Sequence, residues 1–228
     1  MSSDGEKTPA PADPPPLDGK VETRDDSGAV TEAAEFKAGV PDGPLVVYHP
    51  NGKPHVEMFF AGGTLDGLYT EYSPDGAVLM RQHWRSGVLD GPAELFAETG
   101  KTTDSNYRAG KLDGPMRTYD EAGHLTSESN YVAGKLDGEL ILYRPDGSAL
   151  RVARYKAGLL DGDTVEYDEN GNATKVSPYK AGLLEGWLVE YGKDGAEKKR
   201  VLHKAGEPVP DAKAPDNGKA KRKWFGPS

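Results

Sequence analysis

The chain has 228 residues, a net charge of −9, no cysteine and 29 glycines, and only 36% of it is hydrophobic. Absence of cysteine excludes disulfides, thiol nucleophiles, Cys-ligated zinc and iron–sulfur chemistry, and the composition is poor material for a thick core. No apolar run approaches the roughly 18 residues of a membrane span, so an elongated, thin, soluble protein is expected.

Residues 1–16 are rich in Pro, Ser, Asp and Ala, with almost nothing to bury, and read as a disordered N-terminal tail. They lack the basic start and apolar stretch of a secretory signal, which points to a cytoplasmic protein. The Pro-rich run would equally suit the tether left by a removed signal or lipoprotein anchor, the periplasmic alternative.

From residue 17 to 209 the sequence repeats about every 24 residues, eight times. The clearest copies run Tyr107 to Gly114, Tyr131 to Gly138 and Tyr155 to Gly162, each Tyr-x-Ala-Gly-x-Leu-Asp-Gly and each followed five residues later by Tyr119, Tyr143 or Tyr167. A landmark glycine recurs at Gly19, Gly43, Gly67, Gly91, Gly114, Gly138, Gly162 and Gly186, and a turn glycine nine residues after each. One copy is a residue short, between Gly100 and Tyr107. Such a period marks units that stack on their neighbours instead of surrounding one core.

Within a unit the signals are for two strands. Gly138 to Tyr143 is β-branched and aromatic, Pro145 to Gly147 is turn chemistry, and Ser148 to Tyr155 alternates into a second strand. Each unit is therefore predicted to be a β-hairpin, and the fold all-β: an elongated single-layer antiparallel array of sixteen strands, roughly 70 Å long at about 4.8 Å per strand. The aspartate of each Leu-Asp-Gly corner is expected to bond its own backbone two residues on. In the first unit Arg24 replaces an aromatic, as in a capping repeat, and after Gly206 two prolines, Pro208 and Pro210, deny donors to a further strand. Residues 210–228 read as a disordered basic tail. From 197 onward nine Lys/Arg stand against four Asp/Glu, which gives +5 there and leaves −14 to residues 1–196.

Ten of the eleven tyrosines occupy two positions of the unit. Tyr48, Tyr72, Tyr119, Tyr143, Tyr167 and Tyr191, with Phe96, form one column. Tyr107, Tyr131, Tyr155 and Tyr179, with Phe36, Phe60 and Trp84, form the other. Two ladders of stacked rings are expected to supply the burial that a single layer lacks.

Tyr-x-x-Gly-x-Leu-Asp-Gly, five residues to Tyr, then an Asn/Asp-Gly turn resembles the bacterial variant of the MORN repeat, the kind found in YwqK-family antitoxins, over residues 17–209. The resemblance implies an elongated meander of hairpins acting as a non-enzymatic binding protein, most specifically an antitoxin or immunity protein that occludes a toxin or effector. A structural scaffold at a membrane or cell envelope is the alternative.

No enzyme signature interrupts the repeat. The five histidines show no ligand spacing, and no nucleophile elbow, phosphate loop or zinc-binding helix motif is present, so no catalytic, cofactor or metal site is expected. The aspartate column is too sparse for the six to eight oxygens of calcium. An acidic array disfavours nucleic acid and suits a protein partner with a basic surface; membrane contact is not favoured, and the chain is expected to be monomeric before its partner binds.

What varies is the strand face. Three residues after the landmark glycine stand Val46, Thr70, Glu94, Arg117, Ile141, Val165 and Val189; four after it stand Val47, Glu71, Leu95, Thr118, Leu142, Glu166 and Glu190. A recognition surface on a constant scaffold would look like this, as would drift on a two-sided exposed sheet. Adding the aromatics outside the ladders, the candidate partner-binding residues are Phe59, Tyr69, Glu71, Glu94, Glu166, Trp187 and Glu190. Lys221 to Phe225 could dock a groove or an anionic surface, or simply aid solubility.

Overall fold

The computed structural model describes residues 17–213, so the expectations for residues 1–16 and for Lys221 to Phe225 lie outside the described residues. Nineteen strands form one open antiparallel sheet. They are β1 (Gly19–Arg24), β2 (Val30–Lys37), β3 (Val40–Tyr48), β4 (Pro54–Ala61), β5 (Thr64–Leu65), β6 (Gly67–Tyr72), β7 (Val78–Arg85), β8 (Val88–Ala97), β9 (Gly100–Arg108), β10 (Lys111–Tyr119), β11 (Leu125–Val132), β12 (Lys135–Tyr143), β13 (Ala149–Lys156), β14 (Leu159–Tyr167), β15 (Ala173–Lys180), β16 (Leu183–Leu184), β17 (Gly186–Tyr191), β18 (Glu197–Lys204) and β19 (Glu207–Pro208). Each strand pairs with its neighbours in sequence, a hairpin meander with no crossover. The count exceeds sixteen because β5 with β6, and β16 with β17, are halves of one row interrupted at a bulge, and because β19 opens a ninth unit against the end of β18.

Two kinds of turn alternate along the two long edges of the sheet. One is a tight Ala-Gly turn with both residues in the left-handed region, as at Ala133 (φ 50°) and Gly134 (φ 84°), the geometry that suits the twist of a two-residue hairpin. The tight turn docks on the strand before the pair it joins, here β10: the Ala133 amide donates to Asp113 Oδ2 at 3.2 Å and the Gly134 amide to the Leu112 carbonyl at 2.7 Å. The corner aspartate therefore does not bond its own backbone two residues on. A bulge, in which Asn130 faces the three residues Asp137 to Glu139, turns the corner outward, and Asp137 likewise reaches Ala157, twenty residues on.

The other turn is longer and held by an Asx bond. Asp120 Oδ1 accepts from the amides of Ala122 and His124, and these bonds hold the carboxyl below the ordinary aspartate range. The one-residue deletion falls in this turn. Phe96 pairs with Lys101 across four intervening residues, where Tyr48 pairs with Pro54 across five, and since Gly52 and Gly100 each stand four residues after the ring, the missing residue is the one that follows the turn glycine.

The tyrosine columns lie on opposite faces, and their rings do not stack. A column recurs only every second strand, about 9.6 Å apart, beyond the roughly 7 Å reach of a ring pair. Among the described residues the close ring pair is instead His49 with His55, at 4.3 Å. Rings of the first column lie over the preceding hairpin: the Tyr72 hydroxyl donates to Glu57, Tyr119 donates to Asp104, and Phe96 lies under Arg81. Rings of the second column sit between the landmark glycine of one strand and the corner leucine of the next, as Tyr155 does between Gly138 and Leu160. The main buried cluster is Ile141, Val152, Val165, Tyr167 and Val176, with Tyr143 and Tyr191 packed against it.

Candidate interaction surface

Strand alternation and an unbroken register carry lines of side chains across each face of the sheet. On the front, the face of Tyr72 and Tyr167, one line passes through Val46, Glu57, Thr70, Arg81, Glu94, Asp104, Arg117 and Glu128 and then becomes Ile141, Val152, Val165, Val176 and Val189. On the back, the adjacent line runs Val47, Val56, Glu71, Met80 and Leu95, then the hydroxyls of Thr103, Thr118 and Ser127, then Leu142 and an alternation of Arg151, Glu166, Lys175, Glu190 and Lys199. The apolar side of the sheet thus changes over along its length, from the back in the first half to the front in the last third.

The charged half of the front line is tied together. Lys101 binds Glu94 and lies 3.9 Å from Asp104, Arg81 lies 3.9 Å from Glu94, and Arg117 binds Glu128. The Tyr119 hydroxyl donates to Asp104 at 2.8 Å and Tyr72 to Glu57 at 2.9 Å. Burial first, then these carboxylates, pushes both tyrosine hydroxyls above their usual range. Cations and carboxylates in this network are nearly balanced, so it rigidifies the sheet and leaves little free charge.

The structure separates the sequence-predicted site residues. Phe59, Glu94 and Trp187 are on the front; Tyr69, Glu71, Glu166 and Glu190 are on the back. Glu94 is engaged by Lys101 and Arg81, and Trp187 lies under Arg200 at 5.6 Å. Glu166 stands between Arg151 and Lys175, and Glu190 between Lys175 and Lys199. Phe59 is 45% exposed and its Cβ packs over Gly67. Only Tyr69 and Glu71 come together, on neighbouring back-face lines among Leu45, Met58 and Met80.

First-strand columns alone do not reveal the changeover of faces. Their second-strand neighbours, Glu57, Arg81, Asp104 and Glu128 against Val152 and Val176, show it in the same sequence. Among the described residues no group of three or more His, Cys, Asp or Glu side chains could hold a metal ion. An open depression of about 300 Å³ near Glu139, Arg154 and Tyr155 is spanned by the Arg154–Glu139 ion pair at 3.1 Å.

The family described as the MORN repeat variant matches residues 41–61 and 112–133. Each match covers one hairpin from its bulge to the end of its second strand, and the two are in phase with the repeat. No curated protein matches the chain.

Proposed function

We propose that the chain, a MORN-like repeat protein, works as a non-enzymatic protein-binding module, and most specifically as an antitoxin or immunity protein that covers a toxin or effector with a basic surface. MORN repeats commonly mediate protein or membrane interactions. The observation that carries the reading is the contrast between edges and faces. The Asp-to-turn and Leu-to-turn bonds recur from hairpin to hairpin, whereas the back line changes from apolar to hydroxyl-bearing to charged and the front line from charged to apolar. A scaffold held at its edges leaves its faces free to match a partner.

The test is to express the toxic product of a neighbouring gene with and without this chain. Growth should be rescued by the wild type and lost with a Glu71→Lys/Leu95→Asp double variant whose circular dichroism is unchanged. Association of the purified pair should slow as salt rises from about 0.05 to 0.5 M, because the acidic array steers a basic partner. Absence of any rescue, with the chain instead sedimenting with anionic vesicles, would favour the envelope scaffold over the antitoxin.

A further inference from the structure

We infer that the back face of the second to fourth hairpins is the docking site for an amphipathic helix of a protein partner, one whose apolar stripe carries a single Lys or Arg at its centre. The inference rests on the protein-binding reading above and locates its site.

Glu71 carries the argument. It stands directly between Val56 and Met80 on adjacent strands, with Tyr69 beside it on its own strand and Met58 and Gln82 on the diagonals. No cation lies among these neighbours, and among the described residues no Lys, Arg or His forms an ion pair with Glu71. The other carboxylates of the same line, Glu166 and Glu190, each stand between two cations. A lone carboxylate in a half-buried apolar setting is costly unless a counter-charge arrives, and a partner's Lys or Arg supplies it. The field of Glu71 is felt locally: burial and then its charge raise the Tyr69 hydroxyl above the usual range.

The surroundings suit an apolar occupant. Leu95 at the end of the line is 44% exposed, and two of the four methionines of the chain, Met58 and Met80, flank the carboxylate with flexible thioethers that adapt to a partner. Val47 to Leu95 spans five adjacent strands, about 19 Å at 4.8 Å per strand. A helix laid across the strands presents one turn every ~5.4 Å, close to that spacing, so about 13 residues of helix would meet the apolar line with one central cation over Glu71. The front face of the same hairpins offers no such vacancy, since Glu57 accepts from Tyr72 and Glu94 is bound by Lys101.

The experiment is selection of displayed 16-residue helical peptides on the full chain, with counter-selection on Glu71→Lys. Enriched peptides should share a Lys or Arg flanked at helical spacing by apolar residues. Their affinity should fall about tenfold on Glu71→Gln and further on Leu95→Asp, both variants keeping the wild-type circular dichroism. Peptides that bind Glu71→Lys equally well, or that perturb methyl resonances of Leu142 and Val176 instead of Leu45 and Leu95, would overturn this site while leaving the protein-binding reading standing. Self-association abolished by Leu95→Asp would put a second copy there and overturn the helix. Failure to enrich any peptide, with binding only to anionic vesicles, would overturn both.

Discussion

At the residue scale the repeat places alanine where glycine or asparagine would be easier. Ala38, Ala109, Ala133, Ala157, Ala181 and Ala205 all lie at φ between 49° and 51°, a region that costs an L-residue roughly 1–2 kcal/mol. What holds them there is the bond from each alanine amide to a carboxylate twenty residues earlier, nineteen for Ala109 in the shortened unit. Ala133→Asn keeps that amide and suits the left-handed position before Gly134, so it should raise stability by about 0.5–1 kcal/mol. Asp113→Ala, which leaves the Ala133 amide without its partner, should lower it by about 1 kcal/mol, and Asp113→Asn, which keeps an acceptor, by much less. Urea midpoints of the three variants check this. Equal loss in Asp113→Ala and Asp113→Asn would mean that the ion pair with Arg108, at 3.5 Å, matters more than the turn bond.

At the scale of the hairpin, the two glycines that define the period have different physical reasons. Gly91 sits in a bulge at φ 126°, and a Cβ there would lie 2.9 Å from the Cβ of His83 on the neighbouring strand. Gly123 sits in an open turn at φ 81° with nothing within 4 Å of where a Cβ would be. Gly91→Ala should therefore cost roughly 2–4 kcal/mol, through strain added to a clash with backbone-proximal atoms, and Gly123→Ala about 1 kcal/mol, through strain alone. Thermal unfolding of the two variants checks the order, and a reversal would show that the bulge tolerates a side chain. The hairpins were legible in the sequence because Gly, Asn, Asp and Pro report backbone geometry directly, as Pro145 to Gly147 does. The docking of each turn was not. The pairing of Asp113 with Ala133 is set by a bulge whose depth depends on the neighbouring strand, and a lone Leu-Asp-Gly does not reveal it. For the same reason Tyr69 and Glu71 could be read as unusual, but which face they share with Glu166 and which partner each acid has depended on register across strands.

At the scale of the molecule, the changeover of the apolar side divides the array into parts of unequal stability. In the last third, Ile141, Val152, Val165 and Val176 are all at most 8% exposed beneath Tyr143, Tyr167 and Tyr191. In the first half the same front line holds Glu57, Arg81 and Glu94, and the buried residues are the smaller Ala34, Thr70 and Ala93 with Val56. Each fully buried Val or Ile side chain contributes about 1.5–3 kcal/mol, so the C-terminal hairpins hold a core that the N-terminal ones lack. Units of a repeat array are coupled mainly to their neighbours, and such a difference is not averaged over the whole length. Hydrogen exchange should then show amides of β12 to β15 protected at least about 100-fold more than those of β2 to β4, with β9 to β11 between them. Val165→Thr, nearly isosteric but polar, should lower protection in β12 to β17 and leave β2 to β4 unchanged. Protection that is uniform from β2 to β18, and that falls everywhere together in Val165→Thr, would mean that the sixteen rows unfold as one unit and that the buried valines stabilise the first half as much as their own. The graded outcome places the adaptable, methionine-bearing back face in the part of the sheet that yields most readily, where a partner can remodel side chains without opening the core that holds the array together.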